Sequence, residues 1–208
     1  MNLKIASALY GYFETMYIMN QRLIQLCGHN IMACDELPTK VLLDIIQDLP
    51  RVIPYEWSHR EQKLVLSTKN GLLEFQDDLL YLRNSYEAIL SKHYDFLDIV
   101  RKIRNKYEHR MHDIDWLGTV GSPFSFFDVQ FNVNGDYFNV HGLELIALVK
   151  DLNILFSTLS TDVQKCANAT NLASYPYNQK LSRFDYVDFN EIYESPLLPK
   201  IGNILYPF

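Results

Sequence analysis

Between Phe127 and Val140 the chain reads FDVQFNVNGDYFNV, with Phe127, Val129, Phe131 and Val133 alternating against Asp128, Gln130 and Asn132. After Asn134-Gly135 the apolar positions resume at Phe138 and Val140. Both residues of a two-residue hairpin loop must take positive φ, which asparagine and glycine tolerate, so the segment predicts a β-hairpin over about 124–141. It stands against the rest of the chain, where apolar residues recur at helical spacing. The expected architecture is therefore mainly α, a helical bundle with one inserted hairpin.

The helical segments follow from spacing and punctuation. Ile5, Leu9, Tyr12, Met16, Met19 and Leu23 predict a first helix over about Asn2–Cys27, stopped at Gly28. Glu14 interrupts that apolar run, which makes it an amphipathic core helix rather than a secretory leader. A short helix over Thr39–Leu49 is expected to end at Pro50, and Pro50 with Pro54 marks a connector. Ser58-x-x-Glu61 has the form of a capping box that opens another helix, and Asn70-Gly71 breaks the chain before Leu72–Lys92. Further helices are expected over Asp95 to about Asp113 and His141–Leu159. From Ser174 the chain is rich in Tyr, Phe and Pro with little period, which predicts an extended tail over 174–208 packing on a domain of residues 1–173.

The 208 residues are 48% hydrophobic, enough to bury a sizeable core, and carry a net charge of −6. Such a balance argues against broad non-specific nucleic-acid binding, which rests on neutralising phosphates, so any nucleic-acid contact must be local. Three cysteines, Cys27, Cys34 and Cys166, lack a disulfide framework and read as reduced thiols of a cytoplasmic protein. Cys27-x-His29-x4-Cys34 supplies only three ligands of the four that a closed zinc site requires, so neither metal nor cofactor is expected. No apolar run reaches the roughly 18 residues of a membrane span.

One helix gathers the positive charge. Phe96, Ile99, Val100, Ile103, Tyr107, Met111 and Ile114 fall on one face of the segment that begins at Asp95, and Arg101, Asn105, His109 and His112 fall on the other. From Arg101 to His112 there are five Lys or Arg and one acid, Glu108. The stretch RNKYEH from Arg104 has an upstream echo, RNSYEA from Arg83, in which Ala88 stands where the downstream copy has His109.

Arg104-Asn105 followed by His109 resembles the signature of the HEPN superfamily, an arginine and a polar residue with a histidine four to six residues later. The echo does not match, since its next histidine is His93. The resemblance implies a bundle of four or five helices, commonly a homodimer whose motifs face a shared cleft. It further implies a metal-independent endoribonuclease acting as a toxin or anti-phage defence effector, with RNA as substrate and an antitoxin or regulatory protein as partner. Carried over, Arg104 and His109 are catalytic and Asn105 orients them.

The residue types suit that chemistry. Cleavage through the 2′-hydroxyl requires a proton taken from it and one given to the 5′-oxygen, and an imidazole with an unperturbed pKa near 6.5 serves either step. An arginine fork grips two phosphate oxygens and stabilises the charge of the transition state. Arg101, Lys106, Arg110 and His112 are the candidate substrate-binding residues around this pair. On a regular helix, however, positions five apart point about 140° from each other. Arg104 must then reach around, the helix must be distorted, or Arg104 and His109 must come from different chains. The competing readings are a non-catalytic HEPN-like module that binds RNA, nucleotide or protein, and a helical interaction protein without chemistry.

Overall fold

The computed structural model describes residues 3–28, 36–67, 72–73, 76–77, 79–109, 114–119, 128–133 and 135–169. The described chain is mainly helical, with helices α1 (Leu3–Gly28), α2 (Glu36–Val52), α3 (Leu80–Lys92), α4 (Tyr94–His109) and α5 (Gly142–Ala169). Strands β1 (Tyr55–Ser58) and β2 (Lys63–Leu66) form one antiparallel pair. Strands β3 (Ile114–Thr119), β4 (Asp128–Val133) and β5 (Asp136–His141) form an antiparallel sheet in the order β3-β4-β5. The tail over 174–208 lies outside the described residues.

The chain divides into two compact units, with boundaries falling inside α1, α2 and α5. The first holds the described residues up to Asn20, Asp48–Lys92 and those from Val149 on. Phe13 and Phe156 meet edge to face in its core, with ring centroids 5.6 Å apart. Asn20 is fully buried and exchanges two amide hydrogen bonds with Asn153, at 2.7 and 2.8 Å, so α1 and α5 are keyed by a polar pair inside an apolar interface. Tyr86 is also fully buried, and its hydroxyl donates to the Val52 carbonyl at 2.8 Å. Burial pushes that phenol well above its usual range, so it remains a donor.

Three departures from the sequence reading fall in this first unit. Helix α2 continues through Pro50 to Val52. Proline removes one donor from the ladder at a cost of about 3 kcal/mol, yet Ile53 N still donates to Leu49 O at 2.9 Å, and Leu49, Val52 and Ile53 are buried. Residues 55–66 form a second hairpin instead of a connector and a helix start. Ser58 Oγ does accept from Glu61 N, at 3.1 Å, but this bond closes the turn His59–Gln62, where Gln62 takes φ +52°. Helix α3 begins at Leu80 rather than Leu72; Leu72 and Leu73 form a short 3₁₀ turn, both buried.

The second unit holds Gln21–Gln47 and His93–Leu148. The hairpin expected over 124–141 is present as β4–β5, with Val133 opposite Asp136 across a two-residue loop. Gly135 takes φ +85°, and its N–H donates to Asn132 Oδ1 at 2.9 Å. Helix α4 is described through His109, residues 110–113 of its expected extent lie outside the described residues, and Ile114–Thr119 forms the third strand. Ile114 had continued the helical stripe, but pairing with β4 overrides that local period. The inner face of α4 is buried through Phe96, Leu97, Val100 and Ile103, and α4 packs on β5.

Candidate functional site

Helix α4 carries Arg101, Arg104, Asn105, Lys106 and His109. It remains α-helical through His109, so the distortion that would bring positions 104 and 109 together is absent. At 100° per residue the two stand about 140° apart around the axis, whereas Asn105 and His109 are one turn apart and about 40° apart. Asn105 is exposed and Arg104 half-buried. Arg110 and His112 lie outside the described residues, as do His29 and Cys34 of the three-ligand spacing.

The acidic neighbours of this cationic helix escaped the sequence reading as its partners. Arg101 donates through Nε and Nη2 to Asp98 Oδ1, at 3.0 and 2.7 Å. Lys102 reaches the other oxygen of the same carboxylate at 2.7 Å. Burial alone would raise the Asp98 carboxyl, but the hydrogen bonds from Lys102 and Arg101, together with their charges, outweigh it and hold the group below its usual range. Lys106 forms an ion pair with Asp136 at the tip of the β4–β5 hairpin, and its ammonium stands 5.2 Å from the centroid of the Phe138 ring. The hairpin is thereby tied to the motif helix by a charge pair and a cation–π contact. Spacing three or four apart on a helix makes the Asp98 pairs legible after the fact. Nothing local signals Asp136, which sits 30 residues from Lys106.

This clamp has a measurable pH signature. A carboxyl held low in the folded state contributes stability that is present above its unfolded pKa, near 3.9, and is lost as pH falls through the folded value. Asp98→Asn is therefore expected to cost about 1 kcal/mol at neutral pH, the scale of a half-exposed ion pair. Urea titrations across pH should show wild type and variant converging in acid, below pH ~4. A difference independent of pH would assign the loss to packing instead of charge.

The chain matches no protein-family model, no curated protein and no solved structure. Among the described residues no three His, Cys, Asp or Glu side chains cluster in a way that could hold a metal ion. Among the same residues no helix is long and apolar enough to cross a membrane.

Proposed function

We propose that the chain is a HEPN-like endoribonuclease in which His109 carries the proton transfers and Arg104 holds the scissile phosphate, with a toxin or defence role. The reading rests on the motif Arg104-Asn105...His109, and the observation that supports it best is that α4 runs unbroken from Arg104 to His109, with Asn105 exposed one turn before His109. In the proposed reaction the 2′-oxygen attacks phosphorus, its proton passes to a base, and the bond to the 5′-oxygen breaks as that oxygen gains a proton. The products are a 2′,3′-cyclic phosphate and a 5′-hydroxyl. The residues named supply both the acid-base group and the phosphate ligand, so the step as written draws on no metal ion. Incubation of the purified chain with mixed RNA in EDTA, with analysis of fragment ends, tests it directly. Cyclic-phosphate ends support the reading, and intact RNA or 5′-phosphate ends count against it.

A second reading, the non-catalytic HEPN-like binding module, draws support from the ion pairs of Arg101, Lys102 and Lys106 with Asp98 and Asp136. Cations already matched to internal acids contribute less to phosphate binding than their number suggests. Releasing one of them separates the cases. Asp136→Asn is expected to free Lys106 for phosphate, strengthen single-stranded RNA binding several-fold at low salt, and steepen the dependence of log K on log salt by about 0.7. Fluorescence anisotropy over a salt series reads both quantities. An unchanged slope would remove Lys106 from the RNA contact.

A further inference from the structure

Strand β5 sets two side chains against the motif helix from one face. Asp136 and Phe138 are two positions apart, so both extend from the same side of the strand. Both meet Lys106: the Asp136 carboxylate pairs with its ammonium, and the centroid of the Phe138 ring stands 5.2 Å from it. The hairpin fixes where that carboxylate sits. Asp136 follows the two-residue loop directly, in register with Val133, and the Gly135 N–H closes the tip by donating to Asn132 Oδ1 at 2.9 Å. On α4, positions 106 and 109 are three residues and about 60° apart, neighbours on the helix surface. Position 106 stands between position 109 and the buried stripe of Phe96, Leu97, Val100 and Ile103, and Asp136 holds the ammonium on the hairpin side.

We propose that Asp136 is an autoinhibitory competitor of RNA: its carboxylate takes the place of a substrate phosphate on Lys106 and keeps α4 in a weakly binding state until RNA displaces it. The proposal rests on the reading of α4 as a phosphate-binding helix and adds a control at the hairpin tip. A carboxylate and a phosphate are alternative acceptors for one ammonium, because each offers it a charge-assisted hydrogen bond. The contact is built for exchange. The Asp136 side chain is 66% exposed, and an ion pair open to solvent on one side is weak, so a polyanion outcompetes it. Lys106 carries its charge on a flexible four-carbon stem, which turns toward position 109 once released. Asp98 differs on each count. Its side chain is 17% exposed and it holds two cations of its own helix, Arg101 and Lys102, which suits a fixed clamp. Asp136 reaches α4 from a separate element and binds a single cation of that helix among the described residues.

A double-mutant cycle on the full chain tests it, read by fluorescence anisotropy with a labelled single-stranded RNA at low salt. Asp136→Asn is expected to lower Kd about threefold to fivefold when Lys106 is present. In the Lys106→Met background the same substitution is expected to leave Kd unchanged, because the competitor acts only through that ammonium. Glu61→Gln removes one negative charge from another exposed ion pair, with Lys63, and is expected to have no effect. Circular dichroism confirms that each variant is folded; should Lys106→Met fail to fold, Lys106→Gln replaces it. An equal gain in both backgrounds overturns the proposal, since it reports net charge alone. So does a wild-type Kd in Asp136→Asn, or the absence of RNA binding by every variant. Cleavage in EDTA is read separately. Coupled binding without cleavage keeps the competitor and removes the ribonuclease; with cleavage, Asp136→Asn is expected to lower KM and leave kcat unchanged.

Discussion

Phe156→Ala is expected to lower the free energy of unfolding by about 3–5 kcal/mol, a large share of the roughly 5–15 kcal/mol that holds a typical domain folded. Phe156 is fully buried on α5 and meets Phe13 of α1 edge to face at an interplanar angle of 87°. The substitution loses the transfer free energy of the ring and the contacts of the lining atoms around the space it leaves. It also loses the aromatic pair, worth about 0.5–1.5 kcal/mol beyond burial. Phe156→Leu keeps most of the volume and is expected to cost about 1.5 kcal/mol or less. Urea denaturation of the three proteins separates these values. A loss below about 1 kcal/mol for the alanine variant would mean that the α1–α5 interface closes over the site, against the rigid packing implied by the neighbouring Asn20–Asn153 pair.

The other large effect concerns chemistry. His109→Ala is expected to reduce RNA cleavage by about 10²–10⁴-fold, the range for removing a positioned acid-base group. Ala88→His, which restores the imidazole to the upstream echo, is expected to add no activity. Mixing Arg104→Ala with His109→Ala then resolves how two residues about 140° apart on one helix can act together. If the site is shared between copies, random pairing of the two inactive chains should recover about a quarter of wild-type activity. If Arg104 reaches around its own helix, the mixture stays inactive. Single-turnover kinetics under EDTA provides the measurement, and cleavage retained by His109→Ala removes that residue from the reaction.

Particular elements show where local sequence carries the fold and where it misleads. The β4–β5 hairpin is readable because Asn-Gly is the dipeptide that tolerates the positive φ of a two-residue loop, found at Gly135, and alternation marks both strands. The β1–β2 hairpin has no such signal: its turn is His-Arg-Glu-Gln, and Gln62 accepts a left-handed conformation that sequence alone gives no reason to expect. Ser58 even forms the hydrogen bond of a helix cap, since the same hydroxyl geometry serves a turn. At Pro50 the local rule against proline in helices yields to the burial of the residues that follow it. For the candidate site, the sequence located the helix and its cations but left their partners unassigned. Asp98 lies within one turn of Arg101 and Lys102, whereas Asp136 reaches Lys106 only because a hairpin 30 residues on packs against α4.

By itself, then, the sequence determined the features that depend on neighbours along the chain: the long amphipathic helices α1 and α5, the Asn-Gly hairpin, and a helix carrying Arg104, Asn105 and His109. These follow from periodicity and turn chemistry, which act over a few residues. The tertiary structure alone decided the third strand, the tethering of Lys106 to the hairpin and the buried asparagine pair. Each of these joins residues far apart in sequence, whose pairing depends on which surfaces burial brings together.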